Sequence, residues 1–326
     1  MLMRVLVTDY AWGDLSVEQN VLEGIGVELV AAPDGSEATL ARLAVGASGI
    51  MTCWAQTTRR VIEAALPDLK VVTRYGVGLD NIDVAYATAR KIPVAYVPDY
   101  CMSDVAEHAM ALLLALSRKV AGFDRSVRGD VWDIQACLPL NRLTGRTLGL
   151  IGFGRIAREV AARAAPFGLR VIATAPSLEP GTTASGGVEA VTLDALLDTS
   201  DYVSIHCPST KATKGLIDAG ALHRMKPTAC LINTSRGDIV DETALADALD
   251  AGVIAGAALD VRVEEPPGDG DRLIGMPQVI HTPHAAFYST ESLIELRERA
   301  ATETRRALQG EDPENLVNPE YRREGG

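Results

Sequence analysis

The chain has 326 residues, more than one hydrophobic core usually serves, so two domains are the starting expectation. It is 47% hydrophobic and 23% charged, an ordinary globular composition, and its net charge of −12 argues against nucleic acid or an anionic membrane as a partner. The apolar runs, such as AMALLLAL, are too short to cross a bilayer, so no membrane span is expected.

The N-terminus MLMRVLVTDY enters a strand pattern at once, which predicts no secretory signal. Strands are then expected at VELVAA, SGIMTC, LKVVTRYG and PVAYVP, with helical patterns such as SVEQNVLEGI and TRRVIEAAL between them. This alternation is the mark of a parallel α/β architecture. A long helix follows over residues 103–120, with Ser103 as its cap and a mostly apolar body that predicts burial on several sides. Residues 122–144 are expected to be irregular. A second strand–helix series begins at RTLGLIGFG and runs through LRVIATA, DYVSIHC, ACLINTS, IAGAALDV and QVIHTPH. An amphipathic helix over 289–310 and a polar tail close the chain. The five cysteines, Cys53, Cys101, Cys137, Cys207 and Cys230, include no CxxC pair. Scattered in this way they read as small buried residues in a reducing compartment, the cytoplasm, and predict neither disulfides nor a metal site.

Gly152, Gly154 and Ala157 stand at GxGxxG/A spacing after a strand and at the start of a helix. The first glycine suits the tight turn, the second lets backbone approach a pyrophosphate, and Ala157 lets helix pack on strand. The N–H groups of a helix N-terminus then face the phosphates, which makes Arg155 and Ile156 candidate contacts. An acidic residue usually ends the next strand of such a fold and grips the adenosine ribose. Here Ala175 stands 23 positions past Gly152, and no Arg or Lys follows in PSLEPG to hold a 2′-phosphate. Losing a charged hydrogen bond of about 1.5–3 kcal/mol weakens NAD selectively by roughly ten- to a hundredfold. Ser177 offers only a hydroxyl. The expectation is a relaxed, NADP-tolerant pocket for NAD(P).

Three later segments, NTSRGDIVDE, LDVRVEEPP and HTPHAAFYS, each start at the carboxyl end of an expected strand, where open α/β sheets place their ligands. They supply a cation (Arg236), a carboxylate (Glu264 or Glu265) and an imidazole (His281 or His284). Interconversion of a 2-oxo acid and a 2-hydroxy acid needs this set: a guanidinium fork for the carboxylate, and an imidazole to move the hydroxyl proton near neutral pH. A neighbouring carboxylate would fix the imidazole's tautomer.

Through these segments the chain resembles the NAD(P)-dependent D-2-hydroxyacid dehydrogenases, and through RYGVGLDNID and TPHAAFYS it is closest to the branch of phosphoglycerate dehydrogenases and C-terminal-binding proteins. The resemblance implies a Rossmann-type cofactor domain over about residues 101–288. It also implies a discontinuous flavodoxin-like substrate domain from residues 1–100 with the C-terminal helix (289–326), and a cleft shared by the two. It makes Arg236 the substrate-binding cation, Glu265 the carboxylate and His284 the acid/base. It gives the substrate carboxylate to Val77 and Gly78, with Arg74 facing substrate. It assigns Asp260 to the nicotinamide carboxamide, and His206, Pro208 and Thr234 to the cofactor lining; Val105, Thr213, Ser235 and Ala286 complete that set. The segment after the long helix resembles the family's dimerisation arm, so a homodimer is expected. His281 and His108 read as packed residues and Arg59 and Arg60 as a solvated helix start; Trp54 either borders the substrate or packs. Two other readings stand beside the enzyme: a cofactor-sensing dimeric scaffold with little turnover, as in corepressors, and an enzyme whose acid carries a phosphate or phosphonate met by Arg74.

Overall fold

The computed structural model describes residues 2–322, which form two compact units. One takes the residues up to Tyr100 and those from Ser289 on; the other is Cys101–Tyr288.

The first unit is built on strands β1 (Met3–Val7), β2 (Val27–Ala31), β3 (Gly49–Thr52), β4 (Val71–Arg74) and β5 (Val94–Ala95), in the order β2-β1-β3-β4-β5. All four neighbouring pairs are parallel, which is the flavodoxin-like order. β1, β3 and β4 are almost wholly buried, as runs of Val, Ile and Met covered on both faces should be. The helices Glu37–Ala44, Arg59–Ala64 and Val84–Ala89 supply Leu40, Val61, Ile62 and Ala87 to a core with Leu6, Ile50, Val72 and Val94. The helix Thr290–Leu308, opened by a capping box on Ser289, completes this unit. It carries Arg297, whose Nε and Nη2 donate to the fully buried Glu18 carboxylate at 3.1 and 2.9 Å. Tyr75 Oη also donates to Glu18, at 3.3 Å, and the guanidinium lies 5.5 Å from the centre of the Trp12 ring.

The second unit holds strands β6 (Thr147–Ile151), β7 (Arg170–Thr174), β8 (Glu189–Ala190), β9 (Tyr202–Ile205), β10 (Cys230–Asn233), β11 (Gly256–Leu259) and β12 (Val279–His281). Their order is β12-β11-β10-β9-β6-β7-β8, every pair parallel. This is the Rossmann order, with its reversal between β6 and β9. Alternate residues feed two cores. Ile151, Val203, Ile205, Leu231, Ala257 and Leu259 face one side, while Leu148, Leu150, Tyr202, Ile232 and Ala258 face the helices Met102–Arg118 and Arg155–Ala164 on the other.

Two local expectations need correction. The long helix is Met102–Arg118: the expected cap Ser103 lies inside its first turn with its hydroxyl on Glu107, and the helix stops at Arg118 because Lys119 takes a left-handed conformation at φ 51°. A second helix, Val120–Arg128, then occupies ground expected to be irregular, with Val120, Phe123 and Val127 on one stripe. Among the described residues no helix is long and apolar enough to cross a membrane.

The buried Glu18–Arg297 pair yields a test by urea unfolding. Arg297→Met should destabilise by about 3–5 kcal/mol because it strands the Glu18 charge in the core. The double variant with Glu18→Leu should recover most of that loss.

Candidate active site

The glycine turn sits at the carboxyl end of β6, at the reversal point of the sheet. Gly152 has φ +92°, and a Cβ there would lie 2.6 Å from the His206 carbonyl oxygen, so no other residue fits. Its N–H donates to the Thr174 carbonyl at the end of β7, which fixes the turn against the neighbouring strand. Gly154 is the opposite case: a Cβ would meet nothing within 4 Å. Helix Arg155–Ala164 starts directly after it with no side-chain cap on its first N–H groups. Ala157, fully buried, packs among Ala106, Ala109 and Met110 of the preceding helix. Arg155 and Ile156 begin the helix, and Val105 lies buried in the first turn of Met102–Arg118.

The other expected cofactor residues follow the ends of β7, β9, β10, β11 and β12. Ala175 is half-buried and Ser177 exposed beyond β7. Past β9, Thr213 Oγ1 donates to the Pro208 carbonyl at 2.6 Å. Ser235 Oγ donates to the Ile205 carbonyl at 2.8 Å, tying the end of β10 to β9. Two buried polar atoms here lack any hydrogen-bond partner, Thr234 Oγ1 and His206 Nδ1. Orphaned polar atoms beside an uncapped helix N-terminus and an open Gly154 fit a bound dinucleotide, which would supply the missing partners. His206 Nε2 is paired with Ser204 Oγ at 2.8 Å, and burial pushes the imidazole down to about 4, so the ring is neutral at physiological pH.

Arg236 follows β10 on a turn held by Asn233, whose Nδ2 donates to the Arg236 carbonyl and whose Oδ1 accepts from Ser235 N. The guanidinium is half-buried and donates from Nη1 to the Ser235 carbonyl at 2.8 Å. Glu265 and His284 meet: Nδ1 of the imidazole lies 2.7 Å from Oε2. The other oxygen, Oε1, accepts from Arg262 N at 2.9 Å. Burial pushes the Glu265 carboxyl up, but the bonds from His284 and Arg262 N outweigh it and hold the group below the usual range. Among the described residues Glu264 has no such partner, and His281 Nε2 is bound to the Leu273 carbonyl at 2.9 Å instead.

Asp260 is almost fully buried, and its carboxylate serves the loop after β12. Oδ1 accepts from Thr282 Oγ1 at 2.5 Å and Ala285 N at 2.8 Å, and Oδ2 accepts from Ala286 N at 3.0 Å. His108 Nε2 joins this cluster 2.9 Å from Thr282 Oγ1. The Asp260 carbonyl accepts from His284 N at 2.7 Å, and His284 takes φ 53°. Sequence reasoning missed Asn233 and Thr282, whose work is local bonding that no spacing rule reveals, while His108, read as a packed residue, has its Nε2 2.9 Å from Thr282 Oγ1.

In the first unit, Arg74 at the end of β4 is buried. It donates from Nε to the Gly78 carbonyl at 2.9 Å and from Nη1 to the Tyr75 carbonyl, bracing the loop that carries Val77 and Gly78. Asp9 braces the adjoining loop, accepting from the backbone N–H groups of Cys53, Trp54 and Ala55. Among the described residues no group of three or more His, Cys, Asp or Glu is arranged to hold a metal.

Residues 110–286 match the model of the D-isomer specific 2-hydroxyacid dehydrogenase NAD binding domain. The chain belongs to this family. It is 44% identical over 264 residues to the glyoxylate reductase of Korarchaeum cryptofilum, covering 80% of this chain and 79% of that one. It is 41% identical over 286 residues to the D-3-phosphoglycerate dehydrogenase of Mycobacterium leprae, covering 87% of this chain and 54% of that one. The chain thus spans about half the length of the mycobacterial relatives it matches. Among solved structures, an acyclic imino acid reductase in complex with NADPH and D-Arg superposes with a TM-score of 0.86 at 29% identity over 97% of this chain and all of that one. The dinucleotide fold is therefore that of a family NAD(P) binding domain, built on the strand order described above.

The neutral His206, half-buried overall with its Nδ1 fully enclosed, gives a pH test. The unfolded imidazole binds a proton below about 6.5, while the native one resists until about 4. Stability therefore falls as pH falls through that window. Relative to His206→Gln, the unsubstituted chain should lose about 3 kcal/mol between those limits in chemical denaturation.

Proposed function

We propose that this chain transfers a hydride between NAD(P)H and a small 2-oxo acid, giving a D-2-hydroxy acid, or the reverse. The observation that carries the reading is the Glu265–His284 pair at 2.7 Å, on the same sheet edge as the nucleotide-binding glycine turn. Arg236, Glu265 and His284 follow the carboxyl ends of three adjacent strands, β10, β11 and β12. Gly152, Gly154 and the start of the following helix would hold the pyrophosphate, and Thr234 and His206 would line the cofactor.

A dihydronicotinamide, when bound, would supply the hydride for the keto carbon. Arg236 binds the carboxylate of the acid through its planar fork and polarises the adjacent carbonyl. His284 donates a proton from Nε2 to the carbonyl oxygen as it becomes a hydroxyl. Glu265, on Nδ1, fixes the tautomer and offsets the imidazolium charge. Asp260 is assigned to holding the loop of His284, since its carboxylate is already engaged by Thr282, Ala285 and Ala286. In the first unit, the N–H groups of Val77 and Gly78 are assigned to a substrate carboxylate and Arg74 to their support. The engagement of Arg74 with its own loop favours an unphosphorylated acid.

His284→Ala should lower kcat by at least about a hundredfold while cofactor affinity, read by NADH fluorescence, stays nearly unchanged. Unchanged turnover in that variant refutes the assignment, whereas NAD(H)-dependent dimerisation with negligible turnover of any 2-oxo acid by the unsubstituted chain favours the cofactor-sensing scaffold.

Ala175 supports acceptance of both cofactors, and the NADPH complex of the imino acid reductase is consistent with NADP use in this fold. Ala175→Asp should shift the NADH over NADPH preference in kcat/KM by roughly ten- to a hundredfold. A homodimer is supported by exposed Val127, Val131, Trp132 and Ile134 on and after the helix Val120–Arg128. The scattered free thiols Cys53, Cys137, Cys207 and Cys230 support a reducing compartment such as the cytoplasm.

A further inference from the structure

Arg262 follows β11 and its side chain is buried, yet it takes no part in the chemistry above. Its Nε and Nη2 fork onto both oxygens of Glu242 at 2.9 and 3.0 Å, and Nη2 also donates to Asp271 Oδ2 at 2.7 Å. Nη1 is buried with no partner. A buried charge cluster that leaves an N–H unsatisfied adds little stability over a well-packed apolar contact, so fold stability is a poor account of it.

Its position suggests another. Glu242 begins the helix Glu242–Asp250, six residues beyond Arg236 on the same segment. Arg262 begins the turn that carries Glu265, and its own N–H donates to Glu265 Oε1 at 2.9 Å. Glu242 Oε1 also accepts from Val263 N at 2.9 Å, so one carboxylate grips both side chain and backbone of that turn. Gly237, next to Arg236, presses directly on the Arg262 carbonyl carbon and Val263 nitrogen; a Cβ would overlap them. The segment bearing the cation and the segment bearing the carboxylate are thus joined twice, by a glycine contact and by the Glu242–Arg262 fork.

We infer that Glu242 and Arg262 are positioning residues: their ion pair, with Asp271, clamps the Arg236 segment to the Glu265 turn and so sets Glu265 on His284. This rests on the catalytic roles proposed above for Glu265 and His284. Without the fork, the Arg262 N–H loses its fixed direction and Glu265 Oε1 its second anchor, so the carboxylate shares its time between positions on and off Nδ1. The cofactor turn at Gly152 lies on other strands, and its affinity should not follow.

A double-mutant cycle tests this with Glu242→Gln, Glu265→Gln and the pair, each assayed for 2-oxo acid reduction and for NADH binding by fluorescence. Glu242→Gln alone should lower kcat by about tenfold with the KM for cofactor within about twofold, and in the Glu265→Gln background its effect on kcat should shrink to less than about twofold. Arg262→Lys keeps the charge but not the fork and should fall between. Equal losses from Glu242→Gln in both backgrounds, or a loss of cofactor affinity matching the loss of kcat, overturn the clamp while leaving the catalytic reading intact. Full turnover in Glu265→Gln alone overturns both. Should Glu242→Gln fail to fold, Arg262→Lys takes its place in the cycle with the same outcomes.

Discussion

The candidate chemistry depends on one buried carboxylate. Asp260 collects a hydroxyl and two backbone N–H groups from the residues after β12, and its own carbonyl takes a third N–H, from His284. An ionised group with so many donors around it overcomes the cost of burial. Burial pushes its carboxyl up, and the bonds from His108, Thr282, Ala285 and Ala286 bring it below the usual range. The result is a short, left-handed excursion at His284 that a β-strand could not make unaided. From that fixed backbone the imidazole reaches Glu265.

The proposed function asks an acidic chain to handle acidic ligands. The overall field, at −12, repels anions. Attraction is local: uncapped N–H groups at a helix start, a guanidinium at a strand end, and the backbone of a glycine-rich loop. Each acts over a few ångströms, inside the screening length that weakens the distant charges. Such a design leaves the surface free to keep copies soluble while the binding surfaces stay cationic in effect.

Sequence and structure agree where a physical rule has a short reach along the chain. The buried strands announce themselves as β-branched runs, and the glycine turn as a spacing between one strand and one helix. Glu265 and His284 were recognisable through resemblance and motif, although their 2.7 Å contact spans 19 residues. What escaped is of two kinds. Very short elements such as β8, two residues long, carry too little pattern to stand out. Side chains that work across strands leave no periodic trace: nothing in the sequence singles out Arg262, whose partner Glu242 lies 20 residues earlier. Arg74 reads as a ligand for substrate, yet its bonds go to the loop that follows it, because a buried guanidinium is satisfied by the nearest carbonyls.

The helix Thr290–Leu308 belongs to the unit that opens the chain, and with it come Arg297 for the Glu18 charge and Asn318, whose side chain accepts from Val94 N at 2.7 Å. During synthesis the nascent first unit therefore waits. Its core holds an uncompensated carboxylate and an uncovered sheet face until the helix Thr290–Leu308 has left the ribosome, while the second unit, contiguous from Cys101 to Tyr288, has all its parts in hand earlier. The unit begun first is thus completed after the one that follows it.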